Sequence, residues 1–506
     1  MKKEGRLQIE KVYHSAMLIA ISKSPRMAYT NMRYNSSRGQ INDFTFEEAL
    51  FSGFTSDGGM LMPDEIPKVT SDQIRHWSKL SYTELVKEVV ALFVPEEEVP
   101  REDQSSLIDK AFSRFTHPDV VNIAKLKNGL NILELFHGTT LAFKDLAMSC
   151  VGQFFNYFLK KKERHMVVLV GTSGDTGSAA IEAMRGLEAV DIVVMLPKGR
   201  CTRIQELQMT TVIEDNVHVY RVDGTSDEID EPLKNCFTDA AFAQENNLCS
   251  VNSINWCRIM VQIAHYFYAY FQLCPGCDDT VEIAVPTGGC GNITAGCLAW
   301  FMGLPIEITV TVNRNDIMYH ICTEGKLKMP STMTPSLAPA MDIQNPYNMQ
   351  RILYMLSNSN GKLVKEIMET FEAGREAVIP DDVFKKMKKI VTKSFVADDD
   401  LIKSAMARCW KENQYLLCPH TAVAAAYHYN TLVNSDVIPK RVCIATASPA
   451  KFPEAVTLAG LTPQPTPEIA ALETKPTRYI DMNKGEDWTG ILKEKIKEIS
   501  QKRRSY

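Results

Sequence analysis

The chain has 506 residues, 45% of them hydrophobic and 23% charged, with a formal net charge of −5. Length suits about three domains, and the composition is ordinary for a soluble globular protein. The slightly acidic balance leaves no basic footprint for nucleic acid, and no run of about 18 apolar residues marks a membrane-spanning helix, so neither is expected as a partner.

Residues 1–31 are basic, with one short apolar run at 16–21. Glu4 and Glu10 argue against a secretory leader, and the segment is expected to be a disordered extension. A cytoplasmic location follows, with a mitochondrial presequence as the alternative. Thirteen cysteines lie scattered, many in apolar settings such as Cys297 and Cys443, which suits reduced thiols in a reducing compartment. Cys274 and Cys277 form a CPGC element. With no second pair beside it, it reads as a polar loop that holds two thiols.

Thr45-Phe-Glu-Glu48 is a capping box that opens a short helix, and Ser56-Asp-Gly-Gly59 is a turn. Residues 82–93 and 105–115 read as helices. Residues 32–125 therefore form a mainly helical N-terminal domain, followed by a smaller α/β domain over 126–250 and a larger one over 251–506.

Residues 136–147 read FHGTTLAFKDLA. After Phe143, apolar residues at 148, 151, 155 and 158 recur at helical spacing, and Lys160, Lys161 and Lys162 suit the helix C-terminus. Lys144 thus falls in the first turn, where the backbone dipoles disfavour an ammonium. Desolvation by Phe136, Leu141 and Phe143 pushes the same way. Asp145 pulls against it, but adjacent residues point apart on a helix. Lys144 is either a lysine that snorkels to water or one tuned to be nucleophilic.

From here strands and helices alternate. Strands at 166–170, 191–196, 281–285, Ile306–Val312 and Arg441–Ala445 each lead into a small-residue or polar loop. The pattern predicts parallel sheets covered by helices, with every one of these loops on the ligand-bearing edge. Residues 171–177, GTSGDTG, lack the dinucleotide fingerprint. Their hydroxyls, Ser173 and Thr176, suit a carboxylate, or the loop is a helix cap rich in Ser, Thr and Asp. Residues 252–258, NSINWCR, place Asn252, Asn255 and Arg258 at helical spacing, and Arg258 can take an anion in fork geometry. The alternative is a capped helix start. Residues 288–292, GGCGN, offer close backbone approach and free N–H groups before a helix, which suits phosphate. A tight strand-to-helix turn explains the same residues. His420 stands alone and reads as structural. Thr446 ends a strand, where its hydroxyl can meet a ring nitrogen or cap the next helix. Residues 459–477, with four prolines, read as a surface connector, and 487–504 as a docked terminal helix with Trp488, Ile491, Leu492, Ile496 and Ile499 on one stripe. No metal-ligand spacing stands out.

FHGTTLAFKDLA, GTSGDTGSAA, LPKGRCTRIQELQM, NSINWCRI, PTGGCGNITAG and TASPAKF, in this order, resemble threonine synthases of the fungal and gram-negative type. SSRG and TSDGGMLMP near the start belong to the same resemblance, which covers nearly the whole chain from about residue 31 onward. It implies an α/β pyridoxal 5'-phosphate enzyme of fold type II (tryptophan synthase β-like), a monomer or homodimer. It makes Lys144 the catalytic lysine that carries the cofactor and places Phe143 beside it. Gly288, Gly289, Cys290, Gly291 and Asn292 hold the cofactor phosphate, and Thr446 bonds the pyridine nitrogen. Ser173, Asp175 and Thr176 receive substrate. Asn252, Ser253, Asn255 and Arg258 are assigned to the substrate phosphate. The sequence departs from the family's usual GNFGN loop at Gly289 and Cys290, which removes a side-chain amide and alters the shape near the reacting carbons. MRYNSSRG departs from the usual YxSTRG start.

The implied substrate is a small phosphorylated amino acid. A synthase converts O-phosphohomoserine to threonine. The synthase-like branch, which this chain resembles more, implies a phospho-lyase that releases phosphate, 2-oxobutyrate and ammonia, with O-phosphothreonine as a second substrate. A dehydratase of the same fold type and a non-catalytic signalling relative are the rivals. The Asn/Arg cluster disfavours the first, and retention of Lys144, Thr446 and both loops disfavours the second.

Overall fold

The computed structural model describes residues 31–432 and 439–504. The extension expected over 1–31 lies, apart from Asn31, outside the described residues. Two sheets organise the rest. The larger has six strands in the order Val391–Val396, Ile306–Val312, Val281–Pro286, Arg441–Ala445, Asn131–Glu134 and Asn122–Lys125. All of its pairings are parallel except the last. The smaller has five, in the order Ile480–Met482, Val217–Val222, Val190–Pro197, Met166–Gly171 and Leu248–Cys249, all parallel. Val190–Pro197 is buried at every position, as expected where helices cover both faces of a sheet.

The chain does not divide between the sheets at residue 250. Asn131–Glu134 pairs with Arg441–Ala445 in the larger sheet, and Ile480–Met482 pairs with Val217–Val222 in the smaller. Each exchanged strand satisfies its backbone across more than 250 residues of sequence, a pairing that local pattern cannot carry. The C-terminal helix Trp488–Arg504 follows its strand and buries Leu492, Ile496 and Ile499 with Val167, Val193 and Tyr220 of the smaller sheet.

The N-terminal region is helical, as expected, at Phe46–Phe51, Ser71–Trp77, Tyr82–Phe93 and Arg101–Phe112. The last helix starts four residues before its predicted position, because Pro100 can open a helix without donating an N–H. Thr45 and Glu48 form the capping box. Gly58 takes a left-handed φ of 77° in the predicted turn. The proline-rich stretch 459–477 is more than a connector: Pro467–Leu472 is helical, and Ile469 and Leu472 pack on Ile204 and Leu207. The thirteen cysteines are free, eleven of them buried, and Cys274 closes the long helix Trp256–Leu273. Among the described residues no helix is long and apolar enough to cross a membrane.

Candidate active site

Lys144 is the first residue of the helix Lys144–Lys161. Two backbone contacts fix where that helix begins. Phe143 N–H donates to Thr446 O at 2.8 Å, and Ser448 N–H donates to Leu141 O at 3.0 Å. Leu141 is held at a φ of 57°, a left-handed conformation that costs a non-glycine residue energy and recurs at functional sites. Lys144 and Thr446, 302 positions apart in sequence, are thereby locked side by side through the chain ends of two elements. Asp145 turns away from the amine and accepts from Thr140 N–H at 2.8 Å and Thr140 Oγ1 at 2.6 Å. Burial pushes the Asp145 carboxyl up to about 6.

Lys144 and Thr446 both line a cavity of about 1420 Å³. Among the described residues neither side chain forms a hydrogen bond. Burial pushes the Lys144 amine down to about 8; Asp175 works against this, while Arg258 and Lys451 reinforce it. An amine tuned this way is neutral far more often near physiological pH than an ordinary lysine, and the neutral form is what a nucleophile or base requires.

The loop 288–292 enters the same cavity. Gly288, Gly289, Cys290, Gly291 and Asn292 all line it. Gly291 starts the helix Gly291–Met302, whose first-turn N–H groups have no partner inside the helix. Cys290 caps it from a left-handed φ of 64°, and its buried Sγ reaches Gly288 O at 3.5 Å. The side chain of Asn292 is spent elsewhere: it accepts from Tyr266 Oη at 2.8 Å and donates to Gln262 at 3.0 Å. Only its backbone can serve a ligand.

Ser173, Asp175 and Thr176 line the cavity after strand Met166–Gly171. Ser173 is exposed to it, whereas Asp175 is buried and already paired. Lys451 Nζ lies 2.8 Å from Asp175 Oδ1, and Gln205 Nε2 donates to the same oxygen at 2.8 Å. Burial alone would raise this carboxyl, but Lys451 and then Lys144 hold it well below its usual range. Asp175 is therefore a fixed charge in the wall rather than a free ligand arm. Gln205 is aimed by its own capping box, since its Oε1 accepts from Thr202 N–H and leaves Nε2 for Asp175.

Asn252, Ser253 and Arg258 also line the cavity, but Asn255 does not. Asn255 is fully buried, accepts from Cys257 N–H at 3.0 Å and donates to Leu50 O at 2.7 Å. It is the cap of the helix Trp256–Leu273, so the helical spacing that suggested a ligand role reflects capping. Among the described residues the buried Arg258 side chain makes one bond, to Val251 O at 3.0 Å, while its Nε and Asn252 Oδ1 are buried without partners. A buried guanidinium without a carboxylate calls for an anion, and burial pushes it down to about 10.

Several contributors escaped the sequence reading. His420 lines the cavity, its Nε2 accepts from Ala340 N–H at 3.1 Å and its buried Nδ1 has no partner. Burial pushes it down to about 4, so it is neutral. Asn348 bonds Gly289 O at 3.1 Å and Ser253 O at 3.3 Å. The fully buried Arg351 in turn bonds Asn348 at 2.7 Å, Ile254 O at 2.6 Å and Leu61 O at 3.2 Å. A charged residue inside an apolar segment was the available signal for Arg351 and Lys451, the same signal that singled out Lys144. The loops after Val190–Pro197 and Ile306–Val312 do not reach the cavity. Asn313 and Asn315 instead bond Asp342 at 2.7 and 2.9 Å, anchoring the segment that supplies Ala340 and Met341 to the wall.

The wall thus combines a lysine whose ammonium is destabilised by burial, a glycine-rich helix start, an unbonded hydroxyl, and orphaned donors and acceptors. These are the groups a phosphorylated pyridine aldehyde needs: an amine for its carbonyl, N–H groups for its phosphate and a hydroxyl for its ring nitrogen. The comparisons with known proteins agree. Residues 33–112 match the threonine synthase N terminus, residues 124–447 the pyridoxal-phosphate dependent enzymes, and residues 421–493 the threonine synthase C-terminal region. A mouse protein, threonine synthase-like 2, is 54% identical, the match covering 93% of this chain and 98% of that protein. Threonine synthase from Pseudomonas aeruginosa is 38% identical over 85% of this chain and 91% of its own. The crystal structure of pyridoxal-phosphate-bound threonine synthase from Brucella melitensis superposes with a TM-score of 0.86 at 32% identity, covering 93% of this chain and 99% of that one. The fold is that of the fold-type-II enzymes and the cofactor is pyridoxal 5'-phosphate. The chain belongs to the threonine synthase family.

Proposed function

We propose that this protein is a phospho-lyase that takes O-phosphohomoserine by γ-elimination and O-phosphothreonine by β-elimination. Each substrate, with one water, yields phosphate, 2-oxobutyrate and ammonia. Bound pyridoxal phosphate supplies the electron sink for a carbanion next to the amino group. The rest falls to the chain. Lys144, whose ammonium is destabilised by burial, accepts the proton from the substrate Cα and can return it elsewhere on the carbon skeleton. Thr446, a neutral hydroxyl without a competing bond, orients the ring nitrogen without protonating it. Gly288 to Asn292 receive the cofactor phosphate on backbone N–H groups. Ser173 and Thr176 take the substrate carboxylate, and Arg258 with Asn252 and Ser253 takes the leaving phosphate.

The observation that carries this reading is Arg258, a buried cation in the cavity wall with an orphaned Nε and, among the described residues, no carboxylate partner. A dehydratase acting on an unphosphorylated hydroxy amino acid has no use for it. Release of the intermediate, rather than its hydration to threonine, is attributed to Gly289. A Cβ built there meets only Ser253 Oγ, at 3.9 Å, so that stretch of wall lacks a side chain.

The test is a product balance on purified protein given O-phosphohomoserine, O-phosphothreonine and unphosphorylated threonine. Phosphate and 2-oxobutyrate released in equal amounts from the phosphorylated substrates support the proposal. Threonine as the main product from O-phosphohomoserine assigns the synthase reaction instead, and turnover of free threonine assigns a dehydratase.

A further inference from the structure

Lys451 lies on the short turn Pro449–Lys451, just beyond Thr446. It does not line the cavity and its side chain is 0% exposed. Its Nζ is 2.8 Å from Asp175 Oδ1 and donates to Thr140 O at 2.7 Å. Thr140 O also accepts from Gln208 Nε2 at 3.0 Å, and Asp175 also accepts from Gln205. The pair is thus closed by neutral amides and bridges the turn after the larger sheet to the helix Asp175–Met184 beside the smaller one. Buried ion pairs are weak sources of stability, so this one calls for another explanation.

The explanation lies in what faces Lys144. Asp175 comes from the helix Asp175–Met184, Arg258 from Trp256–Leu273 and His420 from Pro419–Leu432, while Lys451 stands behind Asp175. Asp145, on the lysine's own helix, is committed to Thr140. Asp175 shares the cavity wall with Lys144 and is the carboxylate in this set whose charge favours the ammonium of Lys144, while Lys451, paired to it, acts against that influence. Among the described residues Lys144 forms no hydrogen bond to Asp175, whose Oδ1 is taken by both Lys451 and Gln205.

We propose that Lys451 is a positioning residue that sequesters Asp175, so that the Lys144 amine loses its proton more readily and is free to bond. This rests on the reading that Lys144 carries the cofactor. Capture joins Lys144 Nζ to the pyridoxal phosphate carbonyl carbon through a C=N bond and expels one water, and only the neutral amine adds.

The test uses the full chain, depleted of cofactor and mixed with pyridoxal phosphate between about pH 6 and about pH 10. The rate at which the protein-bound absorbance band appears gives a midpoint for Lys144, expected at about 8 in the native chain. Lys451→Met exposes Lys144 to an unshared carboxylate, so its midpoint rises by about one unit and capture below the midpoint slows about tenfold. Asp175→Asn removes that carboxylate and leaves Lys451, so its midpoint falls. The double variant Lys451→Met/Asp175→Asn returns close to the native value. Opposite displacements are the signature of charge, because packing damage alone moves both single variants the same way. Single variants that move together, or a Lys451→Met midpoint equal to the native one, overturn the proposal. If Lys451→Met does not fold, Asp175→Asn decides by the direction of its shift, and an unchanged midpoint there is the overturning result. A Lys144→Ala protein that still forms the band rejects the assignment of Lys144 itself, an outcome distinct from failure of the pair.

Discussion

Two lysines of this chain sit in apolar, small-residue segments, and their surroundings give them different tasks. Lys144 opens a helix into the cavity without a hydrogen bond, while Lys451 is closed behind the wall on Asp175 and Thr140. From its own segment Lys144 reads either as a lysine that snorkels to water or as a nucleophile, and the family resemblance chose between them. Its segment could not tell that Asp175, 31 positions on, would share its cavity wall, nor that Asp175 would already be paired. Asn255 shows the converse, since capping and ligand binding favour the same residue types and only its bonds to Cys257 N–H and Leu50 O, away from the cavity, separate them. Gly289 carries a prediction at this scale. Its backbone has no left-handed φ and its Cβ direction is open, so Gly289→Asn should fold normally. Restoring a side chain there should move product from 2-oxobutyrate toward threonine at unchanged phosphate release, measured by amino-acid and 2-oxo-acid analysis of the same reaction. An unchanged product ratio would remove Gly289 from the account.

At the scale of elements, the strands were readable because each is a short β-branched run ending in a loop of small or polar residues. Ile306–Val312 and Arg441–Ala445 have the predicted bounds, and Val190–Pro197 differs by one residue at each end. Which sheet each strand joins was not readable, because Asn131–Glu134 and Ile480–Met482 pair far along the chain from their neighbours in sequence. The joints that hold the elements around the cavity were equally hidden. Arg351 ties strand Leu61–Pro63 to the 252–254 segment and, through Asn348, to Gly289. Arg351→Met leaves Leu61 O, Ile254 O and Asn348 Oδ1 without that donor. At about 1–3 kcal/mol for each buried group left unbonded, unfolding in urea should show a loss of at least about 3 kcal/mol, with a raised KM for phosphorylated substrate. The C-terminal helix makes a contrasting prediction. Leu492→Ala or Ile496→Ala opens a void against the smaller sheet, and neither side chain lines the catalytic wall. Each should cost about 2–5 kcal/mol while the cofactor absorbance band of the folded protein stays unchanged.

The whole molecule carries several buried carboxylates, and they set its response to acid. Glu282 lies 2.8 Å from Arg441 in the larger sheet. Although burial opposes it, Arg441 holds its carboxyl down at about 2, against an ordinary 4.5. Asp191 is held below the usual range in the same sense by His165, His218 and Arg503, and Asp175 by Lys451. A carboxyl depressed on folding contributes stability that is complete above its unfolded value and lost as pH falls toward its folded value. Asp145, raised to about 6, acts in the opposite sense, its burial costing stability as pH rises from about 4 to about 6. Glu134 is lowered as well and the half-buried Asp342 raised, so four depressed groups stand against two raised, and the urea midpoint should fall as pH drops from about 4.5 toward about 2. A midpoint that holds or rises over that range would show that these carboxylates are not buried ion partners in solution.

The central claim is that one side chain, Lys144, binds pyridoxal phosphate in a wall otherwise built from fixed charges and backbone donors. Borohydride reduction of the holoenzyme, followed by proteolysis and mass spectrometry, tests it most directly. The account predicts a single pyridoxyl-phosphate adduct on the peptide containing FHGTTLAFKDLA, localised by fragmentation to Lys144 and missing from Lys144→Ala. An adduct on Lys451 or any other lysine, with Lys144 unmodified, would contradict it.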